Sequence, residues 1–129
     1  MSELRNVLLV EDDPDIALIA TMALETVGGY QVRVASNGTE AVAELASSRP
    51  DLVLLDVMLP DTTGVELLES IRGGALTWDL PVVFMTARVD PPSISAYLDL
   101  GAQGVVRKPF DVMALPSQVE ALWGAQLQH

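Results

Sequence analysis

The sequence predicts one α/β domain in which five parallel strands alternate with five amphipathic helices. Three observations support this fold class. The chain has 129 residues, which suits a single compact domain. Half of its residues are apolar, so it can bury a sizeable core. Apolar segments of strand length alternate with segments of helical periodicity, which is typical of a doubly wound sheet with right-handed crossovers.

Five short apolar segments are predicted to be strands. Three of them contain unbroken apolar runs, at residues 7–10, 52–55 and 82–85, as expected of central strands that helices cover on both faces. The segment that starts at Gln31 alternates between polar and apolar residues, and the segment that ends at Arg107 is short, so both are predicted to be edges. The predicted strands are residues 5–11, 31–35, 51–56, 81–86 and 103–107.

Apolar residues at helical spacing fill the intervals between these strands. Glycine pairs at 28–29 and 73–74 are predicted to end the first and third helices. Asp13, directly before a proline, is predicted to cap the first helix. Pro116 in the fifth helix is tolerated only in the first turn, so that helix should begin just before it. The apolar residues of the first helix are Ile16, Ile19, Ala20, Ala23, Leu24 and Val27.

Composition excludes several functional classes. The net charge is −11, from 18 acidic and 7 basic residues, and no basic stripe suitable for nucleic acid is present. No apolar segment is long enough to span a membrane, and no secretory leader is recognisable. The chain has no cysteine, which excludes disulfides, thiolate chemistry and cysteine-based zinc sites and suits the cytoplasm.

Polar residues stand where the predicted strands end. Glu11 and Asp12 follow the first strand, Asp56 ends the third, Thr86 ends the fourth, and Lys108 follows the fifth. Parallel strands bring their carboxyl ends to one rim, where ligands bind in such folds. Clustered carboxylates repel one another unless a cation or proton intervenes, and an all-oxygen ligand set favours Mg²⁺.

The same rim suits the transfer of a phosphoryl group. A carboxylate such as Asp56 can act as a nucleophile and form an acyl phosphate. Lys108 offers a mobile cationic donor, and the Thr86 hydroxyl offers a neutral one. In phosphoryl transfer a protein contributes mainly position and charge neutralisation, which a metal ion and a lysine supply.

Four motifs occur in order along the chain, and together they are far more specific than any one alone. They are VEDDP at residues 10–14, LLDVMLP at 54–60 with Gly64 after it, FMTA at 84–87 and KPF at 108–110. In motifs and separations the sequence closely resembles the receiver domain of two-component response regulators. The resemblance covers essentially the whole chain and implies a flavodoxin-like sheet of strand order 2-1-3-4-5. It also implies that residues 1–129 form a single, standalone receiver domain, without an output domain.

The resemblance implies a role for each residue of the rim. Asp56 would be the phosphoacceptor. Asp12 and Asp56 would bind Mg²⁺ directly, together with the backbone carbonyl of Met58, and Glu11 would act mainly through water. The expected partners are a histidine kinase or phosphotransfer protein and an unidentified downstream protein, with no direct contact to nucleic acid or membrane.

Further roles follow for the fourth and fifth strands. Lys108 would bind a phosphoryl oxygen, and its peptide bond to Pro109 is expected to be cis. Thr86 would move towards the phosphoryl group, helped by the backbone N–H groups of Val57 and Ala87.

Two departures from the family pattern affect the expected switch. The family usually has Tyr or Phe three residues before the lysine, where this chain has Val105, which is stiff and carries no ring to rotate. The positions two after the acceptor and two after the threonine tune dephosphorylation in this family. They are Met58 and Arg88 here, and neither orients an attacking water well, so slow hydrolysis is expected.

Other functions remain as alternatives. A constitutive, unphosphorylated scaffold would keep the fold, and Val105 favours it, whereas the intact set of Asp56, Thr86 and Lys108 argues against it. A small Mg²⁺-dependent phosphatase of the haloacid-dehalogenase type would need a second acid at Met58. A flavodoxin-like electron carrier would need a first loop that binds phosphate, which three successive acids would repel. The leading interpretation is a switch that is not a metabolic enzyme.

Overall fold

The computed structural model describes residues 4–125, in which five strands alternate with five helices. The strands are β1 (Asn6–Val10), β2 (Gln31–Ala35), β3 (Leu52–Asp56), β4 (Val82–Thr86) and β5 (Gly104–Arg107). The helices are α1 (Pro14–Met22), which a π-helical turn (Ala23–Val27) continues, α2 (Gly38–Ser47), α3 (Gly64–Gly73), α4 (Pro91–Asp99) and α5 (Leu115–Ala125).

The five strands form one parallel sheet in the order β2-β1-β3-β4-β5. This order confirms the predicted fold class and both predicted edges. Apart from the second strand, the sequence placed strand ends one residue too far out, at both ends of β1 and at the start of β3, β4 and β5. The strand order reverses at β1, because β2 lies on one side of it and β3 on the other. Ligands of open parallel sheets bind at this switch point, beyond the carboxyl ends of the strands.

Successive residues of the central strands face opposite sides of the sheet and build two core layers. Leu9 and Leu54 point towards α1 and α5, whereas Leu8 and Leu55 point towards α2 and α3. Every residue of β3 and β4 is buried. Apolar side chains are therefore withdrawn from water on both faces, which explains the unbroken apolar runs.

Side-chain caps begin the first four helices. The caps of α1 to α4 are Asp13, Asn37, Thr63 and Asp90, each of which accepts a backbone N–H of its own helix. The predicted capping role of Asp13 is thereby confirmed, and Pro116, the second residue of α5, lies in the first turn as predicted. Within residues 4–125 no helix is long and apolar enough to cross a membrane.

Two residues that were predicted to lie on the apolar face of the first helix are exposed. Ile19 and Val27 are 45% and 44% exposed, although both fit the helical spacing. In the π-helical turn Gly28 donates its N–H to the carbonyl of Ala23, five residues back. This wider turn changes the helical phase, so the 3.6-residue period no longer places Val27 against the core. Ile19 lies instead beside the loop that follows β5.

Candidate functional site

A cavity of about 680 Å³ opens beyond the carboxyl ends of β1, β3 and β4. The strands place the predicted rim residues in its wall because parallel strands end at the same edge of the sheet. Its lining includes Glu11, Asp12, Asp56, Met58, Thr86, Ala87 and Lys108. Residues separated by almost one hundred positions in sequence therefore meet in one site.

Three carboxylates in this cavity could hold a metal ion. Glu11, Asp12 and Asp56 each offer one oxygen, and these oxygens lie within 4.8 Å of one another. Glu11 and Asp56 are 1% and 8% exposed, whereas Asp12 is open to solvent. A ligand set made only of oxygen, with one side open to water, fits a hard divalent cation that keeps part of its hydration shell. Met58, whose backbone carbonyl the resemblance implies as a further ligand, lines the same cavity.

Lys108 bridges two of these carboxylates. Its Nζ lies 2.6 Å from Oε1 of Glu11 and 3.2 Å from Oδ2 of Asp56. Its backbone N–H donates to the carbonyl of Thr86 at 2.9 Å, which fixes the start of the loop after β5. The Lys108–Pro109 peptide bond is cis, as the resemblance implied. The lysine is therefore positioned to contact a group bound at Asp56.

Charge and burial shift two pKa values in the site. Burial raises the pKa of Glu11 above its ordinary value of 4.5, and nearby Asp56 adds to the rise, although Lys108 and the Asp13 N–H oppose it. Burial acts to lower the pKa of Lys108, but its contacts with Glu11 and Asp56 outweigh burial and raise it above 10.5. The lysine stays charged at neutral pH, and a cation near Glu11 would relieve the repulsion between the two carboxylates.

Two backbone N–H groups follow Asp56 and have different partners. Val57 donates its N–H to the carbonyl of Met85 at 3.3 Å, extending the β3–β4 ladder. The N–H that reaches the carboxylate is that of Met58, at 3.3 Å from Oδ1 of Asp56. The expected donation by Val57 and Ala87 concerns a phosphoryl group on Asp56, and it stays a prediction.

The end of β4 brings a hydroxyl and an exposed segment to the site. Thr86 is 8% exposed, and its Oγ1 accepts the N–H of Arg88 at 3.0 Å. Ala87 and Arg88 are exposed and line the cavity. The hydroxyl thus ties the strand end to the segment that leads into α4.

Val105 occupies the position where the family usually has Tyr or Phe. Val105 pairs with Phe84 in the sheet and packs in the core on the α3 side, but it is absent from the described lining of the cavity. Tyr97 of α4 lines the cavity instead. Sequence reasoning gave it no role in the site, because helical spacing alone does not tell which residue of α4 packs on Phe84 beside the cavity.

A family model described as the response regulator receiver domain matches residues 7–120 of the chain. The phosphate regulon transcriptional regulatory protein PhoB of Pseudomonas aeruginosa is 34% identical over 118 residues, which cover 92% of this chain and 51% of that protein. The DNA-binding response regulator MtrA of Mycolicibacterium smegmatis is 34% identical over 117 residues, covering 91% of this chain and 50% of that protein. The chain therefore spans about half the length of these relatives.

Solved structures agree with this similarity. A response regulator from Chloroflexus aurantiacus J-10-fl superimposes with a TM-score of 0.85 at 31% identity, covering 95% of this chain and 99% of that chain. The chemotaxis response regulator CheY4 of Vibrio cholerae gives a TM-score of 0.86 at 28% identity, covering 93% and 99% of the two chains. Together with the strand order, these matches confirm the resemblance that the four motifs indicated. The chain belongs to the response regulator receiver domain family.

Proposed function

We propose that this chain is a phosphorylation-dependent switch, which accepts a phosphoryl group on Asp56 and then changes its affinity for a protein partner. One observation carries the proposal. The oxygens of Glu11, Asp12 and Asp56 converge within 4.8 Å, and Lys108 Nζ lies 3.2 Å from the Asp56 carboxylate. A nucleophile, a cation site and a mobile cationic donor are thus brought together in a cavity open to a donor molecule.

In the proposed reaction, an Asp56 oxygen attacks the phosphorus atom of the donor. A bond forms between that oxygen and phosphorus while the bond between phosphorus and the donor's leaving atom breaks, and the leaving group keeps the electron pair. Glu11, Asp12 and Asp56, with the Met58 carbonyl, would hold Mg²⁺, which neutralises phosphoryl charge when bound. Lys108 would bind a phosphoryl oxygen, for which it must give up one of its carboxylate contacts.

The remaining rim residues would stabilise the product. The Thr86 hydroxyl and the Ala87 N–H would donate to phosphoryl oxygens, which extends the neutralisation to the β4 side of the cavity. Both residues line the cavity, and Thr86 Oγ1 accepts the N–H of Arg88, which leaves the hydroxyl proton for donation. Asp56 itself would change from a paired carboxylate into an acyl phosphate with additional negative charge.

The donor and the output follow from the family. We infer a histidine kinase or a histidine phosphotransfer protein as the donor, because two-component systems supply phosphoryl groups in that form. The output would be a protein contact, since a chain of net charge −11 without a basic stripe is poorly suited to bind nucleic acid directly. We place this receiver domain in the cytoplasm. Receiver domains are signalling domains and are generally not classed as enzymes.

Phosphorylation at a single site is the decisive test. The protein is incubated with acetyl phosphate, with Mg²⁺ or with EDTA, and intact mass is measured. We expect the addition of one phosphoryl group with Mg²⁺, its loss in EDTA and its loss in Asp56→Asn. Asp99→Asn is the matched control, because it removes the same charge from an exposed position at the end of α4. Unchanged labelling of Asp56→Asn would contradict the proposal.

The same experiment measures the lifetime of the phosphorylated state. Met58 is 70% exposed and carries no group that orients water, and Arg88 at the cavity can shield the phosphoryl group by its charge. We therefore expect slow hydrolysis once acetyl phosphate is removed, and faster hydrolysis in Met58→Asn, whose amide can hold a water. A wild-type half-life of seconds with Mg²⁺ would contradict this expectation.

Two alternative functions have distinct outcomes in this test. A constitutive scaffold would acquire no phosphoryl group, and its partner affinity would not respond to Asp56→Asn. A small phosphatase would release inorganic phosphate from acetyl phosphate with many turnovers. The absence of a second acid at Met58 disfavours the phosphatase, since that reaction needs a general acid next to the nucleophile.

A further inference from the structure

Tyr97 connects the Asp56 cavity to the core beneath α4. It is the one aromatic residue in the described lining of that cavity. The side chain is half-buried, and its ring packs on Phe84 with centroids 4.9 Å apart and planes inclined by 54°. This tilted arrangement is favourable for aromatic pairs, and a tyrosine can present an apolar body to a core and a polar tip to a wet cavity.

Phe84 is a fixed support for this ring. It is fully buried in β4, between Leu55 of β3 and Val105 of β5 in the ladder. On its α3 side, a Cβ built on Gly64 would lie only 3.0 Å from Cε1 of Phe84, so there is no spare room. Phe84 has little room to move. A displacement of the Tyr97 ring is therefore expected to be taken up by Tyr97 itself and by helix α4.

Helix α4 is free to follow such a displacement. None of its nine residues is buried, and Tyr97 is one of the few that are even partly covered. Helices with few buried apolar contacts shift or open at low free-energy cost. The Tyr97–Phe84 contact is therefore one attachment of the later part of α4 to the sheet, beside its contacts with β5.

The start of α4 has a separate attachment to the site. Thr86 Oγ1 accepts the N–H of Arg88, two residues before Asp90, which caps the helix. A hydroxyl that turned towards a group on Asp56 would alter this contact. The site therefore reaches α4 at two points, through the backbone at its start and through the Tyr97 ring in its later part.

We propose that Tyr97 is the positioning residue through which the state of the Asp56 site sets the position of α4. A bound anion would change the packing of the ring in the cavity wall, and the ring would carry the later part of α4 with it along the Phe84 surface. Val105 does not serve this role, because it lies outside the cavity lining and has no ring. The inference rests on the proposed function, and the experiment below separates the two.

The chain contains two tyrosines, which allows an internally controlled test. The protein is labelled with 3-fluorotyrosine and its fluorine NMR spectrum is recorded before and after addition of beryllofluoride with Mg²⁺. We expect the Tyr97 resonance, assigned by its loss in Tyr97→Phe, to shift. Tyr30 lies beside the amino end of β2, in a different cavity, and its resonance should stay in place.

Backbone amide spectra of variants then test the coupling itself. In Tyr97→Leu we expect beryllofluoride still to shift the amides of Met58 and Ala87 but no longer those of the later part of α4. Tyr97→Phe, which keeps the ring, should restore the α4 shifts. Because α4 buries none of its residues, Tyr97→Leu is expected to fold, and unchanged amide shifts in β3 verify this.

The outcomes distinguish the two proposals. An unshifted Tyr97 resonance, or α4 shifts that persist in Tyr97→Leu, overturns the role of Tyr97 if the Met58 and Ala87 amides respond, and leaves the proposed function intact. Absence of any response at those amides in the wild type overturns both. Loss of the α4 shifts in Tyr97→Phe as well as in Tyr97→Leu also overturns the proposal, because the ring would then not be sufficient.

Discussion

The β3–α3 and β4–α4 units are built alike but are anchored very differently. Both strands have five residues, all buried, and each ends in a residue of the site, Asp56 or Thr86. Both helices begin at a side-chain cap. However, α3 buries four residues, whereas α4 buries none. The four buried residues of α3 are Gly64, Leu67, Leu68 and Ile71.

This difference suggests that the cavity has a fixed side and a movable side. Asp56 must keep its distance from Glu11 and Asp12 if the three are to share an ion, so the unit that holds it benefits from a rigid helix. The unit that holds Thr86 has no such constraint, and its helix is attached mainly through partly buried residues such as Tyr97. The two units share the same local order of strand, cap and helix. Their helices are nevertheless expected to differ in stability, because only α3 is buried against the sheet.

Truncation of one leucine in each helix should give the largest contrast. Leu68 of α3 is fully buried, so Leu68→Ala is expected to lower the free energy of unfolding by about 2–5 kcal/mol. Leu98 of α4 is 46% exposed, and Leu98→Ala should cost less than about 1 kcal/mol. Urea unfolding of both variants measures the difference. Similar losses from the two substitutions would show that α4 is as firmly anchored as α3.

Glycines at the two ends of α3 test how closely that helix is seated. A Cβ at Gly64 would lie 2.6 Å from the Asp56 carbonyl oxygen and 2.9 Å from the Val57 Cα, so Gly64→Ala is expected to destabilise by roughly 1–3 kcal/mol. At Gly73 a Cβ would meet nothing within 4 Å, and Gly73→Ala should be neutral or stabilise by up to about 1 kcal/mol. Thermal unfolding provides the comparison. If Gly64→Ala were harmless, α3 would have to be able to move away from Asp56.

The pH dependence of the free energy of unfolding, measured without metal, should give the smallest effect. Glu11 and Asp90 should contribute to it with opposite signs. Burial raises the pKa of Glu11 above 4.5, so the native state holds this proton more tightly than the unfolded chain. Its contribution makes the free energy of unfolding fall as pH rises from 4.5 through the native pKa. Hydrogen bonds from Ser93 lower the pKa of Asp90 below 3.8, so its contribution is present above pH 3.8 and is lost as pH falls through the native pKa.

Urea unfolding in EDTA across roughly pH 3 to 8 measures both effects. Glu11→Gln should remove the fall above pH 4.5 that Glu11 causes, and Asp90→Asn should reduce the loss in acid, to which Asp61 also contributes. A Glu11→Gln curve parallel to that of the wild type at every pH would contradict the raised pKa. The two variants serve as controls for each other because they act in separate pH windows.

Sequence reasoning recovered the sheet because parallel strands covered on both faces leave a clear signal. The apolar runs at 52–55 and 82–85 lie between helical segments and are too short for helices, which indicates buried strands. The observed ends of these strands lie within one residue of the prediction. Sequence reasoning also predicted that Asp56 and Lys108 lie at the same edge of the sheet, because parallel strands all end there. Asp13 and Pro116 were placed correctly by local rules of helix ends, which need no tertiary information.

Three features were not predicted from the sequence, and each depends on three-dimensional packing. The π-helical turn that exposes Val27 has no local sequence signal. The Met58 N–H faces the Asp56 carboxylate because the β3–β4 ladder engages the N–H of Val57. Tyr97 lines the cavity because the packing of α4 places its ring on Phe84 of β4.

The sequence by itself determined the alternation of elements, the sheet they form and the set of side chains at its carboxyl edge. These follow from periodicity and from the single direction of parallel strands, which act on neighbouring residues or on the chain as a whole. Only the tertiary structure decided which helix is firmly seated, which backbone N–H faces the carboxylate and which aromatic ring lines the cavity. Those outcomes depend on contacts of a few ångströms between side chains far apart in sequence, where one methyl group or one helical phase decides the result.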